Sequence, residues 1–236
     1  MSFRLAITCK QEMKNEVSPL SRYKRKGKKS YSPVGEQFKL IRTGIDFSNI
    51  DKQKQVILIT SPESGTGKST IASHLAISYA QRGERVLLVD ADMRRPTLHR
   101  RFSKGLHAGL SNIILGYHSV EDGLQNVTLE DCNFFILTSG SIPPNPSELL
   151  SSEKMIELLE KLREEFDYII IDTPPVTIVS DALALADMVD GMILVCRYHK
   201  TLRVKAVQAV EKLSLSQTKI LGAIFNGTKN MENYYY

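Results

Sequence analysis

The side chains with the clearest potential for chemistry lie in the run Thr60-Ser-Pro-Glu-Ser-Gly-Thr-Gly-Lys-Ser-Thr70. The run follows an apolar segment and precedes a helical pattern, which is the context that a phosphate-binding loop requires. Gly65 and Gly67 allow backbone N–H groups to converge on phosphate oxygens, and the helix N-terminus adds partial positive charge. We expect Lys68 to reach the β- and γ-phosphates of a nucleotide and the hydroxyl of Ser69 to ligate Mg²⁺.

One position departs from the phosphate-loop pattern G-x-x-x-x-G-K-[ST], because Pro62 stands where the pattern has its first glycine. A strand followed by G-x-G-K-S-T and a helix rarely arises by chance, so the run still predicts nucleotide binding. The predicted nucleotide-binding residues of the run are Ser64, Gly65, Thr66, Gly67, Lys68, Ser69 and Thr70.

Two carboxylates, Asp90 and Asp92, follow the apolar run 85–89. In an extended chain, residues two apart point the same way, so the pair can bracket one metal ion or one hydroxyl group. Taken alone, the pair leaves open the alternative that one aspartate caps a helix. Its place at a strand end, about 20 residues after a phosphate loop, favours a catalytic role.

A third carboxylate, Asp172, ends the run Tyr168-Ile-Ile-Ile-Asp172 and precedes Thr-Pro-Pro175. A carboxylate at the C-terminal end of a buried strand is the usual arrangement for holding Mg²⁺ directly or through water. A turn-forming aspartate before proline is the alternative interpretation.

Short apolar, β-branched runs alternate with helical patterns beyond Pro33. The predicted strands are residues 55–60, 85–89, 134–138, 167–171, 192–196 and 220–225. Several are continuously apolar, which is typical of strands buried on both faces. The alternation predicts right-handed βαβ units. We therefore expect a single α/β domain of the P-loop NTPase-like type, with a doubly wound, mostly parallel sheet flanked by helices.

Three helical stripes are expected to face the core of this domain. The first contains Ile71, Ala72, Leu75 and Tyr79, the second contains Met155, Leu158, Leu159, Leu162 and Phe166, and the third begins with Val204, Val207 and Val210.

The composition excludes several classes of protein. With 42% hydrophobic and 24% charged residues in 236, the chain is too apolar to be disordered throughout. No stretch approaches the roughly 20 apolar residues of a membrane span, and no secretory signal precedes Lys10, so we expect a cytoplasmic protein. Three distant cysteines argue against a disulfide framework and a cysteine zinc site.

The positive charge is concentrated near the N-terminus, where residues 1–32 carry nine Lys/Arg and two Glu, a net charge of +7. Such a segment is either a solvated tail or a contact for anionic lipid or nucleic acid. We expect a basic flexible tail over residues 1–32, the folded domain over 33–228 and a flexible tail over 229–236.

These motifs together resemble the bacterial tyrosine kinases, most of all the Gram-positive cytoplasmic type that acts in capsule or exopolysaccharide synthesis. The resemblance runs from about Ser32 to Tyr236. The motifs that carry it, besides the phosphate loop, are Asp90-Ala-Asp-Met-Arg94, Asp172-Thr-Pro-Pro175, Gly140-Ser-Ile-Pro-Pro-Asn-Pro-Ser-Glu-Leu-Leu150, Leu221-Gly-Ala-Ile-Phe-Asn226 and Tyr234-Tyr235-Tyr236.

The resemblance implies ATP and Mg²⁺ as cofactors and a role for each candidate residue. Lys68 would serve the phosphates, and Asp90 would be the base or the group that orients the tyrosine. Asn226 would contact the adenine. The implied metal ligands are Ser69, Asp92 and Asp172, and the implied phosphoacceptors are Tyr234, Tyr235 and Tyr236.

The family's E-x-x-R-x-x-R assembly motif matches Glu36, Lys39 and Arg42, with Lys39 in place of the first arginine. The spacing of these three residues alone equally fits one face of an ordinary solvated helix. The motif implies a homo-oligomeric ring. Other implied partners are a transmembrane activator whose cytoplasmic tail completes the nucleotide site and recruits the kinase to the membrane, a cognate phosphotyrosine phosphatase, and protein substrates of polysaccharide synthesis.

The alternative function is that of a partition or placement ATPase, which switches on DNA or membrane. Such proteins share the phosphate loop and the D-x-D region but usually carry a lysine at the position of Glu63. Glu63 and the tyrosine cluster both favour the kinase. A non-catalytic, nucleotide-regulated adaptor is poorly motivated because the expected catalytic carboxylates are all present.

Overall fold

The computed structural model describes residues 6–9, 33–48 and 54–227. Within these ranges eight strands form one sheet. The strands are β1 (Ala6–Cys9), β2 (Val56–Thr60), β3 (Val86–Asp90), β4 (Leu124–Thr128), β5 (Asn133–Leu137), β6 (Tyr168–Asp172), β7 (Gly191–Arg197) and β8 (Ile220–Asn226).

Helices connect most of these strands. Those of the described ranges are α1 (Pro33–Phe47), α2 (Lys68–Ala80), α3 (Leu98–Phe102), α4 (Leu110–Ile114), α5 (Val120–Gly123), α6 (Pro146–Leu150), α7 (Glu153–Glu165), α8 (Asp181–Ala186) and α9 (Arg203–Leu213).

The strand order in the sheet is β1-β8-β7-β2-β6-β3-β5-β4. All neighbouring strands are parallel except the pair β4 and β5, which is antiparallel. Strands β3 to β6 all lie on one side of β2, whereas β7 and β8 lie on the other, so the topology switches between β2 and β7. Open α/β sheets bind their ligands at such a switch point, outside the carboxyl ends of the strands.

Alternating side chains of the central strands supply two buried layers, one on each face of the sheet. Val56 and Leu58 pack on one face with the apolar stripe of α7, whereas Ile57 and Ile59 pack on the other with α1 and α2. Both faces are therefore covered, which is why these strands are apolar throughout rather than alternating. The expected doubly wound α/β fold is confirmed.

The predicted strands are all present, with bounds that differ by one or two residues. Two further strands were not predicted. Strand β4 is an edge strand in which only Val127 is buried, so its sequence lacks an apolar run. Strand β1 pairs with β8 in parallel, Ala6 opposite Ala223, although it falls within the segment expected to be a tail.

The predicted stripes on α2 and α7 are buried, but the stripe predicted on α9 is wrong for two of its three residues. Val204 and Val207 are 66% and 46% exposed, whereas Val210 packs against the core, where Ala209 and Leu213 are buried. The helix is rotated so that the face containing Ala209 and Leu213 meets the sheet. Valine spacing alone did not distinguish these two faces.

The remaining residues of 1–32, and the tyrosines of the C-terminal cluster, lie outside the described residues. The domain bounds 1–32, 33–228 and 229–236 therefore remain predictions. No helix in the described ranges is long and apolar enough to cross a bilayer.

Candidate active site

The phosphate loop and the three predicted carboxylates meet at one edge of the sheet. Parallel strands β2, β6 and β3 are neighbours, and their register places Asp172 opposite Ile59 on one side and opposite Asp90 on the other. Carboxyl ends of parallel strands share an edge, so residues that are far apart in sequence arrive at one point. The loop that follows β2 opens at the same edge.

The phosphate loop connects β2 to the N-terminus of α2. Gly67 has φ +90°, a left-handed conformation that L side chains rarely adopt, and a Cβ there would overlap the amide nitrogen of Asn226. None of the backbone N–H groups of residues 64–68 donates a hydrogen bond to another described residue. A row of unpaired N–H groups at a helix N-terminus is a suitable cradle for phosphate oxygens.

Asn226 at the end of β8 is fully buried and faces this loop. Its Nδ2 donates to the carbonyl oxygen of Thr66 at 2.8 Å, while its Oδ1 is buried without a partner among the described residues. The side chain of Asn226 therefore holds the phosphate loop through this hydrogen bond, and its Oδ1 remains an unused acceptor. Its predicted contact with adenine remains a prediction.

Lys68 lies among the predicted carboxylates. Its Nζ is 3.0 Å from Oδ2 of Asp92 and 3.6 Å from Oδ1 of Asp172. The Oγ of Ser69 is 3.5 Å from the same nitrogen. The predicted phosphate-binding lysine and the predicted metal ligands thus form one cluster.

The cluster is buried, and its charges act strongly on one another. Burial acts to lower the pKa of Lys68, but the negative charges of Asp172 and Asp92 outweigh it and raise the pKa. Burial, followed by repulsion from Asp172, raises the pKa of Asp90 to about 7. Burial also raises the pKa of Asp172, although the charge of Lys68 opposes it.

Asp90 additionally shapes the loop that follows β3. Its Oδ2 accepts the backbone N–H groups of Thr97 and Leu98 at 3.1 and 3.0 Å, and its Oδ1 accepts that of Asp92 at 3.2 Å. The loop is therefore wrapped around this carboxylate. Asp92 in turn accepts the N–H of Arg95 at 3.0 Å, which fixes the orientation of the second carboxylate.

Asp172 has the character of a metal ligand. Both carboxylate oxygens are buried without a well-aligned hydrogen bond among the described residues, although Lys68 and the hydroxyl of Ser69 are close. A buried carboxylate without hydrogen bonds is costly unless a cation compensates it. Mg²⁺ bound with a nucleotide takes one or two carboxylates and completes its oxygen ligands with phosphates and water. The donor set of Ser69, Asp92 and Asp172 fits this chemistry.

Two arginines that the sequence analysis did not assign brace the site. Arg94 forms a two-pronged contact with the fully buried Asp181 of α8, at 3.0 Å from both Nε and Nη2. Arg101 donates from Nη2 to Oγ1 of Thr70 at 2.7 Å and so joins α3 to the start of α2. In the sequence, only the abundance of arginine in residues 94–101 pointed to these two side chains, and it did not indicate which residues they contact.

Glu63 lies at the start of the loop, where partition-type ATPases usually carry a lysine. Its Oε2 is 2.8 Å from Nζ of Lys205 on α9. This contact lowers the pKa of Glu63. The position is thus occupied by an acid that is paired within its own chain.

The three residues of the predicted assembly motif lie on α1 but have different surroundings. Glu36 and Lys39 are paired with each other at 2.7 Å near the surface. Arg42 instead donates to the carbonyl oxygen of Ser78 on α2. Arg42 therefore connects α1 to α2 within the domain.

The predicted phosphoacceptors Tyr234, Tyr235 and Tyr236 lie outside the described residues.

A family model for the AAA domain matches residues 54–216, which include the phosphate loop and all three carboxylates. The tyrosine-protein kinase YwqD of Bacillus subtilis is 43% identical over 204 residues, covering 85% of each chain. The chain belongs to the bacterial tyrosine-protein kinase family. The bacterial tyrosine kinases are thus the proteins with which this site is to be compared. The P-loop of this kinase domain binds ATP.

A solved structure supports the same assignment. The chimerical protein CapA2B2 superimposes with a TM-score of 0.86 at 33% identity, covering 97% of this chain and 96% of that chain. The cell-division ATPase MinD of Pyrococcus furiosus gives a TM-score of 0.61 at 24% identity, covering 74% and 72%. The likeness to MinD shows a shared fold alone.

Proposed function

We propose that this kinase transfers the γ-phosphoryl group of ATP to tyrosines of its own C-terminal cluster, Tyr234, Tyr235 and Tyr236. The observation that carries the proposal is the buried cluster of Lys68 with Asp90, Asp92 and Asp172 at the mouth of the phosphate loop. Phosphoryl transfer requires alignment and neutralisation of charge rather than covalent chemistry by the protein. The cluster supplies both.

In the proposed step the phenolic oxygen attacks the γ-phosphorus, the bond from that phosphorus to the ADP oxygen breaks, and the phenolic proton passes to Asp90. Lys68 moves its charge from the carboxylates to the β- and γ-phosphates. The N–H groups of residues 64–68 hold the phosphate oxygens, and the free Oδ1 of Asn226 accepts from the adenine amino group. Mg²⁺, when bound, neutralises phosphate charge, and Ser69, Asp92 and Asp172 would hold it.

The tyrosine cluster is proposed to enter the site of a neighbouring copy within a ring. Glu36 and Lys39 are near the surface of α1 and would form the contact between copies. Because Arg42 is bonded to Ser78 of its own chain, its part in assembly would be to hold α1 in place.

The biological setting is proposed from the relatives. The chain would regulate synthesis and export of a capsular or extracellular polysaccharide, and a cognate phosphatase would reverse the modification. A transmembrane activator would complete the nucleotide site with its cytoplasmic tail and so recruit the kinase to the inner face of the membrane. The solved chimera CapA2B2 is the relative that motivates an activator.

The basic segment 1–32 would add loose contact with anionic lipid near the activator, because its net charge of +7 attracts such surfaces. Removal of residues 10–30 should weaken binding to anionic vesicles at low salt and have little effect at high salt, where exposed charges are screened. Equal vesicle binding at low salt with and without the segment would leave it a solvated extension.

The test of the kinase activity incubates the chain with labelled ATP and Mg²⁺, with and without the cytoplasmic tail of a candidate activator, and maps the phosphorylated residues. Label on residues 234–236 is expected. Label confined to serine or threonine, or release of phosphate without protein label, would contradict the proposal and favour an ATPase.

A second test separates transfer between copies from transfer within one chain. Lys68→Met protein with intact tyrosines is mixed with active protein in which Tyr234, Tyr235 and Tyr236 are changed to phenylalanine. Transfer between copies labels the Lys68→Met protein, and Glu36→Lys reduces this label. An unlabelled Lys68→Met protein, together with a concentration-independent rate for the wild type, would place transfer within one chain.

A further inference from the structure

Four arginines lie in residues 94–101, the segment that follows the proposed catalytic carboxylates Asp90 and Asp92, and the structure divides them into two pairs. Arg94 and Arg101 have partners, the buried carboxylate of Asp181 and the hydroxyl of Thr70. These two guanidinium groups brace the site. The other pair, Arg95 and Arg100, has no such role.

Arg95 and Arg100 are both exposed. Neither forms an ion pair with another described residue, and the guanidinium of Arg95 makes no hydrogen bond to one. The Nη2 of Arg100 donates to the carbonyl oxygen of Pro96 at 3.2 Å, which places its charge beside the residue that follows Arg95. Arg95 on the loop after β3 and Arg100 on α3 therefore place two positive charges without a carboxylate partner in one short segment.

The backbone of Arg95 lies next to the proposed reacting groups. The N–H of Arg95 donates to Oδ1 of Asp92, so the arginine is anchored one hydrogen bond from a catalytic carboxylate. The negative charges nearby are the buried Asp90, Asp92 and Asp172, which already surround Lys68. The two exposed arginines thus remain available for an anion that arrives from solvent.

An extended peptide that brings a tyrosine to Asp90 and Asp92 carries its neighbours past the segment 94–101. Residues two apart in an extended chain lie about 7 Å apart on the same side, which is within the reach of an arginine side chain. In the C-terminal segment, Glu232 precedes Tyr234 by two residues, and Tyr236 follows it by two. A phosphate on one tyrosine would place a charge of about −2 beside its neighbours.

We propose that Arg95 and Arg100 form an anion subsite that binds the negative group flanking the acceptor tyrosine in the C-terminal segment of a second copy. This inference rests on the proposed kinase function and specifies its substrate. Glu232 supplies the anion for the first transfer. Each phosphotyrosine then supplies a stronger one, so phosphorylation of the cluster promotes its own completion.

The test uses three amidated peptides of residues 228–236: the natural sequence, the Glu232→Gln variant, and the natural sequence phosphorylated at Tyr236. The proteins are full chains whose own cluster is changed to phenylalanine, either otherwise wild type or with Arg95→Gln and Arg100→Gln. A matched control carries Lys161→Gln and Lys219→Gln, which removes the same charge from two exposed lysines, one on α7 and one before β8. Fluorescence anisotropy with ADP and Mg²⁺ gives Kd, and phosphate transfer from ATP gives KM and kcat.

For the wild type and the lysine control at low salt, the natural peptide should bind about fivefold more tightly than the Glu232→Gln peptide, and the phosphopeptide more tightly still. In the double arginine variant the three peptides should have nearly equal Kd values. The preference should disappear in about 1 M salt, where the Debye length is about 3 Å.

Two outcomes overturn the inference: equal Kd values of the wild type for all three peptides, or a charge preference that survives in the arginine variant. The proposed kinase function fails separately. Binding that follows peptide charge without any transfer from ATP would contradict the kinase function and leave the anion subsite in place. Transfer with no dependence of Kd or KM on the two arginines would do the reverse.

Discussion

The ammonium group of Lys68 lies 3.0 Å from the carboxylate of Asp92, and the two side chains are only 11% and 8% exposed. Before a nucleotide binds, the lysine thus neutralises part of the negative cluster that is proposed to hold Mg²⁺. Nucleotide phosphates would take over the lysine and leave the carboxylates free for the metal. The contact between Lys68 and Asp92 therefore stabilises the site without a ligand, and the same two side chains are proposed to bind the phosphates and Mg²⁺ of the nucleotide.

Changing Lys68 to methionine should lower phosphotyrosine formation by at least about 100-fold, because it removes charge aimed at the transferred phosphoryl group. Circular dichroism should show an unchanged fold. Lys219→Met, at an exposed lysine before β8, is the control and should retain activity. Undiminished labelling of the Lys68→Met protein would discard the P-loop kinase mechanism.

Changing Asp172 to asparagine should weaken nucleotide binding with Mg²⁺ more than binding in EDTA, because a proposed metal ligand is lost. The same change should raise the melting temperature of the unliganded protein, since both carboxylate oxygens are buried without a well-aligned hydrogen bond among the described residues. Asp90→Asn is the contrast and should lower the melting temperature, because that carboxylate accepts backbone N–H groups. Equal loss of nucleotide affinity with and without Mg²⁺ would count against a metal role for Asp172.

Changing Arg94 to alanine should lower the free energy of unfolding by about 3 kcal/mol, because it leaves the buried carboxylate of Asp181 without its partner. Arg94→Lys should recover only part of this loss, since an ammonium group cannot form the two-pronged contact. The exposed Arg95→Ala is the matched control, with an effect within about 0.5 kcal/mol. Urea unfolding measures all three, and a small effect of Arg94→Ala would show that Asp181 finds other partners.

His74 should make stability depend on pH below neutrality. Burial, with a contribution from the charge of Arg101, lowers the pKa of His74 from 6.5 to about 4. As the pH falls, the imidazole of His74 therefore becomes protonated near pH 6.5 in the unfolded chain but only near pH 4 in the folded chain. Stability is fully present above pH 6.5 and is lost as pH falls towards 4, with a slope of at most about 1.4 kcal/mol per pH unit.

Comparing urea unfolding of wild type and His74→Gln between pH 7 and 4 checks this prediction. The variant should show a shallower fall in stability over that range. His107→Gln, at an exposed histidine, should leave the slope of the wild type unchanged. Parallel curves for the wild type and His74→Gln would show that other groups cause the pH dependence.

Changing Gly67 to alanine should abolish nucleotide binding, because the new Cβ meets the side chain of Asn226 and the backbone has φ +90°. Gly65 has φ +77° with open space around it, so Gly65→Ala incurs only the conformational cost of about 1 kcal/mol. A fluorescent ATP analogue measures both affinities. Similar affinities of the two variants would mean that Asn226 moves aside freely.

The sequence alone determined the features that depend on local order. A glycine-rich run between an apolar segment and a helical pattern has few structural solutions, so the phosphate loop and the helix after it were predictable. Runs of β-branched residues that end in aspartate placed Asp90 and Asp172 at strand ends. The parallel sheet then brought those ends to one edge, because parallel strands share their carboxyl side.

The tertiary structure decided what joins distant parts of the chain. Arg94 contacts Asp181 across 87 residues, and Asn226 contacts Thr66 across 160. The pairing of β4 with β5 and the packing of α9 against the core likewise explain the unpredicted edge strand and the buried face of that helix. The periodicity of apolar residues shows only whether a face of a helix or strand is apolar or polar, and it does not show which element packs against that face. The order of strands in the sheet, which no local pattern encodes, fixes which side chains meet and therefore which arginines brace the site and which remain free for an anion.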